Sequence, residues 1–573
     1  MGIGDLFVSP TSKGPVDLIG TVLDINFGCI GYLGASDFGT QGWTETTAMS
    51  GWNQAPLPRD QILLIPTTLG DRIPENHSVR LFGEILDGLD WSEWERHYVL
   101  VAGQPPIHPK IVAGAILYGL THGVRASRRL EWACEHAVDF MWLVEGRTID
   151  HSTFCDFRTT FKKELKDLFR QIGRVAMTMG MIRLNQVALD GTRVKANSSA
   201  HATATAKTLD QRLSVLNEQI EALFAQAEQA DQQEKDLFGD SISTHSLPPE
   251  LADLKRRQAS LGKALKAAHE ADAKRQKRKS GSKRPAKVPV ADPDSVILPN
   301  KEGGYAPNFN PTAAVDGVCG MIVDADVLSQ QSESETVIPT VEHIEADFGR
   351  KPDQFLADSA FATGSNLSGL AERGIEALMP VESTRLPEEN PADRADPTHP
   401  VPQSDWPKLP RRAQTGKLDR AAFVYDAAKD CYYCPQGRAL VFVQIKTKDR
   451  DTCDASEYRV YTCRSCEGCA LAADCLSGKA KQRTVSHDQH EAVRQEVAAR
   501  LKTESGRKAY ARRAHLAETP NGHIKQVMGL RQFLLRGLDK VRTEWLWTCT
   551  AFNIRKLISA MEKVRTGAAL NPV

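Results

Sequence analysis

The chain has 573 residues, enough for about four domain equivalents and for large buried cores. Hydrophobic residues make up 41% and charged residues 25%, Gly and Pro sit near background, and no apolar run reaches the roughly 18 residues that span a bilayer, so fibrous, mainly disordered and membrane-spanning classes fall away. The 72 basic residues balance 72 acidic ones, so any electrostatic case for nucleic acid has to be local, and the first residues lack the basic-then-apolar pattern of a signal peptide.

Residues 1–60 are rich in Gly, Ser and Thr with weak periodicity and read as a weakly ordered extension. Residues 61–180 read as a helical domain. Ile111, Ile116, Leu117 and Leu120 share a face, and Phe154, Phe157, Phe161, Leu165, Leu168 and Phe169 recur at three- and four-residue spacing. Asp150 is the expected N-cap of the helix it precedes. Arg125, Arg128 and Arg129 form a basic edge, which suits either solvated bundle charges or a DNA-binding helical domain.

Near residue 187 the period changes. Val187-Ala-Leu-Asp190-Gly-Thr-Arg-Val194 reads as a buried strand carrying a carboxylate. Over 205–290 a helical hairpin and a basic tract follow. Leu209, Leu213, Leu216, Ile220 and Leu223 form a heptad seam, and Leu251, Leu254, Leu261 and Leu265 mark the second arm. The first arm is acidic. From Leu251 to Val290 there are 13 Lys or Arg against 3 Asp or Glu, a net of +10. The tract Lys274 to Lys287 is either a solvated tail or a phosphate-binding patch.

Thr312–Asp316 and Met321–Val327 read as two strands joined by a turn at Gly317 and Gly320, with a helix over 336–347 after them. Gln354–Asp358 reads as a strand ending in an acid, then a helix over 365–373 and a short strand over 375–379. Residues 381–420 are Pro-rich and read as a linker, and helical pattern runs from about 486, through Leu530, Phe533, Leu534 and Leu538, to the end.

Twelve cysteines are present, and seven of them lie between 431 and 475. Cys431-x2-Cys434 and Cys463-x2-Cys466-x2-Cys469-x5-Cys475 have the spacing of thiolate metal ligands. Structural zinc is the leading reading, with Cys434, Cys466, Cys469 and Cys475 as the first ligand set and His487 or His490 as substitutes. Reduced unliganded thiols and an iron–sulfur cluster are the alternatives.

Asp190 and Asp358 each end an apolar strand and precede small residues. A carboxylate in such surroundings is costly unless it is paired or bound to a cation, and acids at strand ends facing one cleft can hold hard divalent ions. A third acid, Glu518, lies in the helical stretch Tyr510-Ala-Arg512-Arg513-Ala-His-Leu-Ala-Glu518-Thr-Pro520-Asn-Gly-His-Ile-Lys525. With Asp190-Gly-Thr, Ala357-Asp358-Ser-Ala-Phe361 and Tyr510, Arg513, Glu518 and Lys525 as a Y-R-E-K signature, the chain resembles bacterial insertion-sequence DDE transposases, close to the subgroup with a coiled-coil insert and a cysteine cluster. His108-Pro-Lys110, Leu117-Tyr-Gly119, Asp150-His-Ser-Thr153 and Phe157-Arg158 resemble that family's N-terminal domain, and Ala313-Ala-Val-Asp316 its second strand.

The resemblance implies an α/β fold, a ribonuclease H-like mixed sheet over 181–380 and 500–560. To it are added the N-terminal helical domain over 61–180, the helical-hairpin insertion over 205–290 and a Cys-rich insertion over 381–485. It implies that Asp190, Asp358 and Glu518 bind two Mg²⁺ ions, with Mn²⁺ as a substitute, and cut then join DNA by in-line phosphoryl transfer. Tyr510, Arg513, Lys525 and Arg512 are then the DNA contacts. Asp316 lies near the site by analogy and reads as structural. Pro520 is expected to kink or restart its helix. The partners implied are double-stranded terminal inverted repeats and target DNA, with a homodimer in the complex. The expected compartment is the cytoplasm, on the nucleoid. A metal-dependent nuclease of the same fold and a non-catalytic DNA-binding derivative are the competing readings.

Overall fold

The computed structural model describes residues 68–98, 105–238, 249–277, 284–299, 303–330, 332–381, 390–448, 456–478 and 480–567. The extension over 1–60, Cys29, Cys453 and Arg278, Lys279 and Lys283 of the basic tract lie outside them.

The chain opens with helices α1 (Ser78–Asp87), α2 (Ser92–Glu95), α3 (Pro109–Thr121), α4 (Ser127–His136), α5 (Val138–Leu143), α6 (His151–Thr160) and α7 (Lys162–Thr178). Local chemistry sets their starts. His108 caps α3, its Nδ1 accepting from the Lys110 amide at 3.1 Å, with Pro109 in the first turn where no amide is needed. Asp150 caps α6 by accepting from the Ser152 amide at 2.7 Å, as expected. The phenylalanine stripe is core: Trp94 stacks on Phe157 at 5.5 Å, and Phe157 lies 6.2 Å from Trp547 at the other end of the chain.

A mixed sheet follows, built from β1 (Gln186–Gly191), β2 (Val194–Lys195), β5 (Val296–Pro299), β6 (Tyr305–Asp316), β7 (Ile322–Leu328), β8 (Gln354–Leu356) and β9 (Glu376–Leu378). Between β2 and β5 lie a small ribbon, β3 (Thr203–Ala204) with β4 (Val288–Pro289), and the arms α8 (Ala206–Phe238) and α9 (Pro249–Lys277). The arms pack through Leu209, Ala264 and Ala268 near the base and Leu216, Ile220 and Leu251 further out, as the heptad seam requires. In the sheet β6 runs antiparallel to β1 and β7, while β8 runs parallel to β1 and β9 parallel to β8. Helix α10 (Val337–Phe348) links β7 to β8, and α11 (Gly364–Glu372) links β8 to β9.

Residues 424–488 form a second sheet in sequence order, β10 (Val424–Asp426), β11 (Cys431–Tyr433), β12 (Ala439–Lys448), β13 (Ser456–Cys463) and β14 (Thr484–Asp488), with the short helix α12 (Ala472–Cys475). The stretch expected to be a linker does not behave as one. Ala392, Val401, Leu409 and Leu418 are buried in this module's core beside Tyr432, Leu440 and Tyr461. Their apolar side chains come singly at wide spacing, so no period betrays them.

The chain ends in α13 (Glu491–Lys502), α14 (Glu504–Gln526) and α15 (Leu538–Arg565). The segment between α14 and α15, expected to be helical, is irregular yet buried at Leu530 and Phe533. Its amides pair elsewhere: Phe533 donates to the Lys195 carbonyl at 2.9 Å, and Leu534 and Leu535 donate to Glu544. Helix α14 continues through the buried Pro520 rather than restarting there. Asn521 Nδ2 donates to the Ala517 carbonyl at 3.2 Å in the disturbed turn. One hydrophobic core runs from α1 through the mixed sheet to α15. Among the described residues no helix is long and apolar enough to cross a membrane.

Candidate active site

Strand β1 sets the site. Successive side chains alternate faces, so Ala188 and Asp190 point one way and Val187 and Leu189 the other. Ala188 packs with Leu356, Leu378, Leu516 and Ala517, which shows that α14 covers that face. Asp190 therefore emerges beneath α14, with its side chain 19% exposed. Asp358 follows the parallel neighbour β8, where its Oδ1 accepts from the Ala360 amide at 2.8 Å. Glu518 is exposed on α14, two residues beyond Leu516.

The groups share one field. Burial pushes the Asp190 carboxyl above the usual carboxylate range. Arg513 opposes this, with Nη1 3.7 Å from Oδ1, while the charges of Asp358 and Glu518 add to the rise. Burial likewise raises the half-buried Tyr510 phenol; Arg513 opposes and Asp358 adds. Lys525 lies along the loop after Asp190: its Nζ donates to Thr192 Oγ1 and, at 2.9 Å, to the Arg193 carbonyl. Arg512 turns away from the acids. It donates to Gln186 Oε1 at 2.8 Å and to the Gly317 carbonyl at 2.6 Å, at the start of β1. Asp316 is fully buried at that same end, accepting from the amides of Arg183, Leu184 and Val318, so it ties a turn together away from Asp190.

Sequence reasoning missed one acid. Glu333, just before α10, is pushed up to about 7 by burial and by the charges of Asp190 and Asp358, with Arg193 opposing. Nothing in Gln-Gln-Ser-Glu-Ser-Glu marks it off from loop polarity.

The three expected acids are neighbours but are not gathered to a common point. Among the described residues the one trio of ligand atoms all within 4.8 Å of one another is Glu131, Asp150 and His151, on the surface of the N-terminal helices. There Asp150 is occupied as the α6 cap.

In the second sheet Cys434, Cys463, Cys466, Cys469 and Cys475 line one pocket with Arg438 and Arg483. A hydrogen bond from the Cys463 thiol brings Cys434 down to about 7, against burial. The Arg483 amide donates to Cys466 Sγ at 3.4 Å. No three of these sulfurs lie within 4.8 Å of one another. Cys463 joins the four thiols expected from spacing, and Cys431 is not in the pocket lining. His487 sits instead among Tyr425, Tyr432 and Tyr461, and His490 pairs with Ser368. The pocket needs glycine at 437: φ is +72°, and a Cβ there would lie 2.0 Å from the Thr398 carbonyl oxygen.

Two family models match. A transposase domain (DUF772) covers residues 67–160, which is α1 to α6, and a transposase DDE domain covers 433–558, which takes in the thiol pocket and all of α14. The chain belongs to the insertion-sequence DDE transposases. No curated protein and no solved structure matches it. Asp190 and Asp358 fall between the two matched segments, Glu518 within the second. The DDE transposase domain is ribonuclease H-like, in keeping with the mixed α/β sheet here.

The family implies use of a divalent metal. The transposase's residues fit one at the end of β1 by their chemistry. Four carboxylates act on one another there, and the Nη1 of the neighbouring Arg513 is buried without a hydrogen bond. Hard oxygen donors with a charge deficit suit Mg²⁺ or Mn²⁺. The thiol pocket fits a softer ion by donor type.

Proposed function

We propose that this transposase cuts DNA at the ends of a mobile element and joins those ends to target DNA, with Asp190, Asp358 and Glu518 as the acids that hold Mg²⁺. The observation that carries the reading is the placement of Asp190: a mostly buried carboxylate at the end of the central strand, under the field of Asp358 and Glu518 and 3.7 Å from Arg513 on the signature helix.

Two displacements at phosphorus make up the reaction. In the first, water attacks the phosphodiester, the P–O3′ bond breaks, and the element keeps a free 3′-hydroxyl while the water oxygen stays on the phosphate. In the second, that hydroxyl attacks a target phosphodiester and displaces the target's own 3′-oxygen. A bound divalent metal supplies charge neutralisation at the entering and leaving oxygens. Arg513 is placed to shift from Asp190 to a phosphate as DNA enters, and its planar fork suits two phosphate oxygens. Lys525 holds the Thr192–Arg193 turn in line behind Asp190. Tyr510 forms the wall beside Asp358. Of the two adjacent arginines, Arg513 rather than Arg512 is assigned to the DNA. Two chains acting on two ends are expected. In the second sheet, Cys434, Cys466, Cys469 and Cys475, with Cys463 as a fifth thiol, are assigned to one structural zinc.

The test uses duplexes carrying the DNA that flanks the coding region. The full chain with Mg²⁺ is expected to cut them and to join a pre-cut 3′-hydroxyl end to plasmid DNA, and Asp190→Ala, Asp358→Ala and Glu518→Ala to lose both steps. Cutting without joining would make it a nuclease. Unchanged processing by Asp190→Ala would end the assignment of the acids.

A further inference from the structure

We propose that Glu333 is a fourth carboxylate of the divalent-cation site, reaching the end of β1 from the α10 layer while Glu518 approaches from α14. The proposal rests on the reading of Asp190 and Asp358 as metal-holding acids.

Position comes first. A Cβ built on Gly191 would lie 2.1 Å from Glu333 Oε2 and 2.6 Å from Oε1, so the carboxylate fills the volume a side chain would need. Gly191 and Asp190 are adjacent on β1 and project to opposite faces. The carboxylate thus caps the strand end on the face that Asp190 leaves open, and glycine after Asp190 is what admits it.

The segment is also held in place. Thr336 donates to the Glu333 carbonyl from its amide at 3.1 Å and its hydroxyl at 2.7 Å. The buried Asn366 donates from Nδ2 to the Ser334 carbonyl at 2.6 Å and to the Phe361 carbonyl at 2.9 Å. The Phe361 amide in turn donates to the Asp358 carbonyl at 3.2 Å. One amide side chain therefore clamps the Glu333 segment to the turn that carries Asp358.

What the carboxylate lacks is a partner. It makes no hydrogen bond and no ion pair with any described side chain, although it is half-buried beside two other acids. A structural glutamate in such surroundings is expected to have a cation within 4 Å, as Glu544 has in Arg125. Here the acids share only the 3.7 Å contact of Arg513 with Asp190. The deficit suits a divalent ion bound between Glu333, Asp190 and Asp358.

Mn²⁺ titration of the DNA-free full chain, followed by electron paramagnetic resonance, tests this. Asp190→Asn is expected to abolish binding and Glu333→Gln to weaken it roughly tenfold or more, the change one charged oxygen ligand makes. If Asp190→Asn loses binding and Glu333→Gln matches the parent, Glu333 is not a ligand and the other acids stand. If Asp190→Asn binds as well as the parent, the reading of the acids fails and this proposal fails with it. A melting series checks the position separately. Gly191→Ala is expected to lower the melting temperature, and Glu333→Ala in the same chain to restore it. Equal losses with and without the Glu333 side chain would overturn the placement.

Discussion

Nη1 of Arg513 stands 3.7 Å from Oδ1 of Asp190, is buried, and makes no hydrogen bond. Both side chains are less than one-fifth exposed. A guanidinium so placed competes with any divalent ion for the same carboxylate. Arg513→Gln is therefore expected to tighten Mn²⁺ binding in the absence of DNA by a few-fold, the equivalent of roughly 1 kcal/mol. The same variant should lose DNA cutting, because the fork that meets phosphate is gone. Calorimetric titration with Mn²⁺ beside a cleavage assay reads the two effects, and a loss of both Mn²⁺ affinity and cutting would refute the competition.

Arg125 joins the N-terminal helices to the end of the chain. It donates to the carbonyls of Gly529 at 2.8 Å and Gln532 at 2.7 Å and to Glu544 Oε1 at 2.8 Å. Glu544 also accepts from the Leu534 and Leu535 amides, which is how the irregular segment before α15 is satisfied. The pair is about nine-tenths buried. Removing one partner leaves the other charged and desolvated, so Arg125→Ala should cost about 3–5 kcal/mol in urea unfolding, and Glu544→Gln clearly less. Equal costs would mean that packing, not charge, holds the junction.

If the thiol pocket holds zinc, purified protein should contain about one equivalent by metal analysis. Cys434→Ser and Cys466→Ser should lose it. Loss of the metal should lower the melting of the second sheet by at least about 5 °C, the shift that ~1 kcal/mol gives a module of this size. Cys155→Ser, an exposed thiol far from the pocket, is the control that should change neither. A folded sample without zinc would remove the assignment.

Much of this architecture was readable because single side chains carried it. Val-Ala-Leu-Asp190 could only be a buried strand, Asp150 could only cap, and Leu209, Leu216 and Ile220 set the seam between α8 and α9. The second sheet was harder. Val441, Phe442, Val443 and Ile445 are exposed on β12, so the alternation that normally marks a half-buried strand is missing. Glu333 was hidden for another reason. Its role depends on the missing side chain of Gly191 and on Asn366, 33 residues further on, and neither leaves a pattern around residue 333. Which of Arg512 and Arg513 faces the acids depends on how α14 lies across β1, a tertiary fact with no local signature.

Asp292 gives a pH prediction independent of the metal sites. It is 1% exposed, accepts from the Gly537 amide at 3.1 Å, and leaves Oδ2 buried without a donor. Burial pushes its carboxyl up to about 6; the Gly537 amide opposes the rise, as do Lys263 and Arg536, and Asp294 adds to it. A carboxyl whose folded value lies above its unfolded value of about 3.9 keeps its proton in the folded chain after the unfolded chain has released it. Stability from this group is therefore present below about pH 4 and is lost as the pH rises through 6, by about 1.4 kcal/mol for each pH unit between the two values. Asp292→Asn keeps the acceptor for Gly537 and cannot ionise. Urea unfolding of both proteins at pH 4.5 and pH 7.5 should show the variant gaining on the parent at the higher pH, and a constant difference between them would show that Asp292 is ionised in the fold throughout.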